Sequence, residues 1–258
     1  MKTVRLLIRR LLLLTGICVL CSPSFPQVQD HSQGQAQSKP IVIQFFYNVD
    51  PQPITQLLMV VGNQVRDGNR DIYILMSSNG GDPGLAFTAY NYLRSLPAHI
   101  TTINLGNIDS AATILFCAGQ ERFAVTGTRF LIHGVMFNYA SPGMNVQPNA
   151  EQLEANLSLV RSLNEEMILA LSQNSAKKPE ELRKLIQGQV ILDSEEALSW
   201  KLIQGTKTLK NLVPADAQMI GLNVTGGATK EPPLNAWESP SLPIVSTTPP
   251  LATSAIPQ

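Results

Sequence analysis

The sequence has no block of clustered Lys and Arg: 19 basic residues are matched by 19 acidic ones over 258 positions, and the net charge is zero. Nucleic-acid binding draws on grouped cations that neutralise phosphates, so no nucleic-acid partner is expected. Cysteine is scarce as well. Cys18 and Cys21 lie near the start and Cys117 stands alone in the remainder, which excludes an intramolecular disulfide there. Its neighbours Leu115, Phe116 and Ala118 mark Cys117 as a small core residue and not a reactive thiol. Only three histidines exist, His31, His99 and His133, so few side chains can act as a general base near neutral pH. The early apolar run, Leu11 to Leu20, is about half of the roughly 20 residues that a bilayer span needs. No cofactor and no metal site are expected. What is present is 44% hydrophobic residues, enough for one globular domain of ordinary size with tails.

Residues 1–30 read as a segment apart. Lys2, Arg5, Arg9 and Arg10 precede the apolar run, and Ser22 and Ser24 follow at small-x-small spacing before Phe25. That order is the order of a secretory signal peptide, and export to the cell envelope (periplasm) or the medium is expected. An organelle transit peptide shares the Arg-rich, acid-free start, but successive leucines fit a signal better than an amphipathic presequence. Cys21 does not read as a lipidation site, because Leu20 stands where a small residue belongs. Residues 31–39 are polar and Gln-rich, a linker.

From Pro40 the chain alternates strand and helix signals. IVIQFFYNV is a β-branched and aromatic strand, and Leu57, Leu58, Val61 and Val65 have helical spacing. Ile72 to Met76 is a second strand, ending in SSNGGDPG, a sharp turn with Pro83 at an early helical position. Leu85, Ala89, Tyr92, Leu93 and Leu96 carry the helix that Pro97 stops. Ile100 to Leu105 is a third strand, Ser110 to Gly119 a short apolar helix, and Arg122 to His133 a hairpin turning at Thr126, Gly127 and Thr128. After a Pro/Gly-rich loop over Ser141 to Pro148, Ala150 to Leu171 is a long amphipathic helix. Two short helices follow, around Pro179 to Gln187 and Ser194 to Lys201. The alternation predicts an α/β domain over residues 40–206 with largely parallel strands. Residues 207–258 lack periodicity, grow dense in Pro, Ser and Thr, and read as a disordered tail.

Three pieces of this pattern carry chemistry. Ser110 follows a strand and the turn Gly106-Asn107-Ile108-Asp109 and opens an apolar helix. Free N–H groups at a helix start favour developing negative charge, and the same position suits a plain helix N-cap; the segment alone fits either. His133 ends a strand and is the one histidine able to pair with a serine inside the core. Gly80-Gly81 let the backbone approach a substrate because no Cβ intrudes. A glycine turn, a serine and a histidine following successive strands can converge at one end of a parallel sheet, where ligand sites form.

With these residues in hand, the stretch from Ile72 to His133 resembles the proteolytic subunit of the Clp protease family, within the ClpP/crotonase superfamily. YILMSSNGGDPG is similar to that family's strand and glycine turn, LGNIDSAATILFCAG to its nucleophile segment, and RFLIH to its strand ending in the catalytic histidine; looser similarity runs from Ile41 to Gly205. The resemblance implies repeated β-β-α units with a protruding handle helix, Ser110 as nucleophile, His133 as general base, and the N–H groups of Gly81 and Ala111 as oxyanion hole. It implies a serine-type endopeptidase acting on peptides or unfolded chains, built into a homo-oligomeric ring through the helix Ala150 to Leu171.

One departure stands out. The family's triad acid falls in the segment matched by GQVILDSEEA, and the position that should be Asp is Gln189. Asp193 with Glu196 has capping-box spacing and reads as a helix cap. Asp109 replaces a small residue of the family pattern, and adjacent side chains on a turn point apart, so it is not read as the third member. A glutamine oxygen accepts the His133 Nδ1–H but does not stabilise an imidazolium by charge, so slow hydrolysis is expected. The alternatives are a non-catalytic assembly protein and a crotonase-type acyl-thioester enzyme. A Ser-Lys enzyme finds no lysine in the matching segments. The family works in the cytoplasm with an ATP-driven unfoldase; for an exported chain such a partner is not expected, whereas a cytoplasmic location, the alternative, would restore it.

Overall fold

The computed structural model describes residues 39–136 and 149–224. The expected signal segment, nearly all of the linker and the loop 141–148 lie outside the described residues. Strand β1 (Ile41–Phe45) leads to helix α1 (Pro51–Arg66), β2 (Asp71–Ser78), α2 (Pro83–Ser95), β3 (His99–Asp109), α3 (Ala112–Phe116), β4 (Glu121–Val125) and β5 (Arg129–His133). Then come α4 (Ala150–Gln173), α5 (Pro179–Leu185), β6 (Gln189–Asp193), α6 (Ser194–Ser199), β7 (Gly205–Lys207) and β8 (Gln218–Ile220). One sheet holds all the strands in the order β6-β5-β3-β2-β1-β8, with β4 beside β3 and β7 beyond β4. Every pairing is parallel except β5 with β6. The fold is therefore α/β with a mostly parallel sheet, as the alternation predicts.

The helical periodicity locates the main core. Ile54, Leu57, Val61 and Val65 of α1 and Ala86, Ala89 and Leu93 of α2 are buried against Ile43, Ile72 and Ile74 of the sheet. Asp82 caps α2 by accepting from Leu85 N at 3.0 Å, with Pro83 at its start, where a missing N–H costs nothing. Asp193 caps α6, accepting from the N–H groups of Glu195 and Glu196 while Glu196 accepts from Asp193 N. That reciprocal box commits the Asp193 carboxylate to the helix.

Three expectations are corrected and one strand is added. Residues 121–133 form no hairpin: β4 pairs with Thr101 to Asn104 and β5 with Asn107 to Asp109 of the same strand, both parallel. The turn at Thr126 to Thr128 only carries the chain further along β3, which turn residues alone do not distinguish from reversal. The third strand runs on to Asp109, and the helix after it begins at Ala112, not Ser110. Gln189–Asp193 is a strand, although its residues show no clean alternation and only Leu192 is buried. Lastly, order does not stop at residue 206. Leu212 and its partly buried neighbours Val213 and Ala217 pack on Val42, Leu75 and Ile103, covering the second face of the sheet, and β8 pairs with β1. A three-residue strand carries no periodic signal, so the pattern misses it; residues 225–258 lie outside the described residues.

Arg122 shows how the β4 end is tied down. It is buried, and its guanidinium donates to the carbonyls of Leu202, Gly119 and Asn174 and to Asn174 Oδ1. Burial, the largest influence, holds its pKa below the usual value, yet the donors are satisfied by carbonyl dipoles.

Candidate active site

The site stands where β2, β3 and β5 end. Ser110 follows β3 directly and has φ 55, a left-handed conformation that costs a non-glycine residue about 1–3 kcal/mol. Two backbone bonds hold it there, Ser110 N to Leu131 O at 2.7 Å and Thr113 N to Ser110 O at 3.0 Å. The residue in the cap position of α3 is Ala111, and no side chain caps that helix, so Ser110 is not a helix cap. Because α3 spans only five residues, any help to a developing anion comes from individual N–H groups more than from a helix dipole.

The glycine turn lies against this serine. Gly80 and Gly81 have φ 89 and 148, open to glycine and strained for other residues. A Cβ on Gly80 would stand 2.6 Å from Asp109 O and 2.8 Å from Ser110 Cβ, so the missing side chain is what admits the nucleophile turn. Val49 N donates to Gly80 O and Asp82 N to Val49 O, pinning the turn to the loop after β1. Among the described residues the N–H groups of Gly81 and Ala111 donate to nothing, which leaves both available to an oxyanion.

His133 ends β5, and its Nδ1 lies 2.7 Å from Gly134 O. A carbonyl only accepts, so this bond puts a proton on Nδ1, and in the neutral ring that leaves Nε2 as the nitrogen able to take a proton from a hydroxyl. Gln189 faces His133 in the β5–β6 ladder, but no hydrogen bond joins them among the described residues. His99 sits at the far end of β3, with Nε2 3.8 Å from Glu121, roughly 30 Å of strand from Ser110.

Ser110, Ala111, Gly81 and His133 line one cleft of about 290 Å³, whose apolar wall includes Ile114 and Met167. Gln189 does not line it. Sequence reading missed the polar residues behind the cleft. Asp109 is buried and accepts from Arg129 Nη2 and Asn107 Nδ2, each at 2.9 Å; this bond and the charge behind it raise the Arg129 pKa. The signals in the sequence are the departure of Asp109 from the family pattern and its spacing of two from Asn107, which puts both on one face of a strand.

A family model described as Clp protease matches residues 42–208, well over half of the chain. The chain belongs to the Clp protease family. Over 152 residues, 58% of this chain, it is 31% identical to the ATP-dependent Clp protease proteolytic subunit 1 of Tropheryma whipplei strain Twist, covering 70% of that protein. Subunit 2 of Tropheryma whipplei strain TW08/27 matches to the same extent. Subunit 2 of Frankia casuarinae is 32% identical over 152 residues, with 65% of that protein covered. In this Clp protease family member every candidate site residue falls inside the matched stretch, and membership of a protease family supports a peptidase role. The segment from Leu212 to Ala217, which packs on the second sheet face, falls beyond it.

Proposed function

We propose that this Clp protease family member is a serine-type endopeptidase that cleaves peptides or unfolded chains slowly. The observation that carries the reading is the convergence of Ser110, His133 and the glycine turn on one cleft, with Ser110 on a strained turn. Ser110 Oγ attacks the scissile carbonyl carbon as His133 Nε2 removes its proton. The carbonyl oxygen, now an oxyanion, is stabilised by the N–H groups of Gly81 and Ala111. Collapse expels the amine, which takes the proton from His133, and leaves an acyl ester on Ser110. A water then attacks that ester, again with His133 as base, and frees the serine.

Slowness follows from the partner of Nδ1. Gly134 O orients the ring but is neutral, so the imidazolium formed in each step lacks the carboxylate that stabilises it in a full triad, a loss of about 10⁴ in kcat in the chymotrypsin-type case. The same observation favours a second reading, a non-catalytic assembly member. A fluorophosphonate probe on the mature protein separates them: slow labelling lost in Ser110→Ala and His133→Ala supports the peptidase, and no labelling in any variant supports the assembly protein.

Two further parts of the proposal concern context. A homo-oligomeric ring is built through α4, whose first half bears exposed leucines. The chain is exported, its first 30 residues being removed; an intact N-terminus in mass spectrometry of the native protein would count against this. Outside the cytoplasm ATP is not expected, so short or already unfolded substrates replace those an ATPase would deliver.

A further inference from the structure

The three catalytic parts proposed above come from three strands, and the backbone ladder does not fix their spacing. Between β2 and β3 the register slips next to the site: Met76 faces Asn104, whereas Ser78 faces Ile108. Two residues on one strand are thus matched by four on the other, a bulge at the point where the glycine turn and Ser110 must be held together. Side chains take over where the ladder breaks. Asn107, inside the bulge, donates through Nδ2 to Ser78 O at 3.1 Å, Asn79 Oδ1 at 2.9 Å and Asp109 Oδ2 at 2.9 Å, and its Oδ1 accepts from Ser77 Oγ at 3.0 Å. Arg129 Nη2 extends the chain of bonds from Asp109 to β5, at 2.9 Å. The network therefore runs from the residues just before Gly80, through the residue just before Ser110, to the strand that ends in His133.

Resting on the reading of Ser110 as nucleophile, we propose that Asn107, Asp109 and Arg129 are positioning residues that set the distance and angle of Ser110 against the glycine turn and His133. Stability does not account for Asp109. Its Oδ1 is buried and has no hydrogen-bond partner among the described residues, which costs free energy that a small apolar residue would avoid. Its ion-pair partner Arg129 is 56% exposed in the side chain while Asp109 is 8% exposed, so solvent screens the guanidinium half of the pair and limits what the pair contributes. A misplacement of reacting groups of about 1 Å, in contrast, costs on the order of 100-fold in rate.

The test uses the mature full chain and the fluorophosphonate probe, separating probe affinity from the first-order labelling rate, with the thermal midpoint measured in parallel. Asp109→Ala is expected to lower the labelling rate on the order of 100-fold with unchanged probe affinity and a midpoint close to wild type. Asp109→Asn keeps an acceptor oxygen for both partners and should recover most of the rate. Arg129→Ala added to Asp109→Ala should cost little more, because the residues act as a unit. Wild-type labelling combined with an unaffected Asp109→Ala overturns the positioning role alone. So does an Asp109→Asn variant as slow as Asp109→Ala, or a rate loss that only tracks loss of folded protein. A wild-type chain that does not label removes the nucleophile reading and this inference with it.

Discussion

Gln189 stands directly opposite His133 in the antiparallel ladder of β5 and β6. The two side chains rise from the same face of the sheet, yet the His133 Nδ1–H is taken by Gly134 O at 2.7 Å. Position 189 is therefore placed for a partner of the imidazole without acting as one.

A carboxylate at that position should change the chemistry. Gln189→Asp is expected to raise the first-order labelling rate of Ser110 at least about tenfold, since opposite charge favours the protonated imidazole. The gain should appear in kcat and not in KM, because the charge develops after binding. An unchanged rate in Gln189→Asp, together with a rate abolished by Asp193→Asn, would place the third member elsewhere.

Gly80 should tolerate no side chain. Gly80→Ala meets backbone oxygen and the Ser110 Cβ at under 3 Å, on top of a strain of about 1–3 kcal/mol at φ 89. Gly68 is the control, with φ 95 and nothing within 4 Å of the methyl group that alanine would add. Chemical denaturation should show Gly68→Ala costing only that strain and Gly80→Ala clearly more, with probe labelling lost. Equal costs would mean that close approach is not what Gly80 serves.

Helix α4 should drive assembly. Its buried residues, Met167, Ile168, Ala170 and Leu171, are confined to the C-terminal end, whereas Leu153, Leu157 and Leu159 are 46–49% exposed. Apolar surface of this kind marks a contact site. Light scattering of the mature chain should show an oligomer, and Leu153→Glu with Leu157→Glu a smaller species. A monomeric wild type at micromolar concentration would end the handle assignment.

Cys117 should be inert and should weaken the fold in alkali. Burial, the largest influence, pushes its thiol from 9.0 up to about 11, against a smaller pull downward from Arg122 and Arg94. The folded thiol keeps its proton where the unfolded one has lost it. Stability present below pH 9 is therefore lost between pH 9 and about 11, by about 2–3 kcal/mol. Urea unfolding of wild type should fall off more steeply over that range than that of Cys117→Ala, and alkylation at pH 8 should require unfolding. Parallel pH profiles for the two proteins would contradict the desolvated thiol.

Much of this was legible in one dimension. The runs IVIQF and DIYILMSS, the spacing of Leu57, Val61 and Val65, and the Asp82-Pro83 start of α2 name their elements because periodicity and capping are local properties. Ser110, His133 and the paired glycines are legible for a related reason: each follows a strand, and parallel strands end on one side. Physics that acts between distant residues was not legible. Whether Thr126 to Thr128 reverses the chain or shifts it along β3 depends on which partner offers free backbone groups. Whether residues 208–220 fold depends on the apolar face formed by Val42, Leu75 and Ile103, far away in the sequence. Asn107, Asp109 and Arg129 become a network only once the bulge in β3 brings three strands to one place. Local propensity chose the elements, and long-range burial and hydrogen-bond satisfaction decided their pairing, because those free energies exist only after the chain has closed on itself.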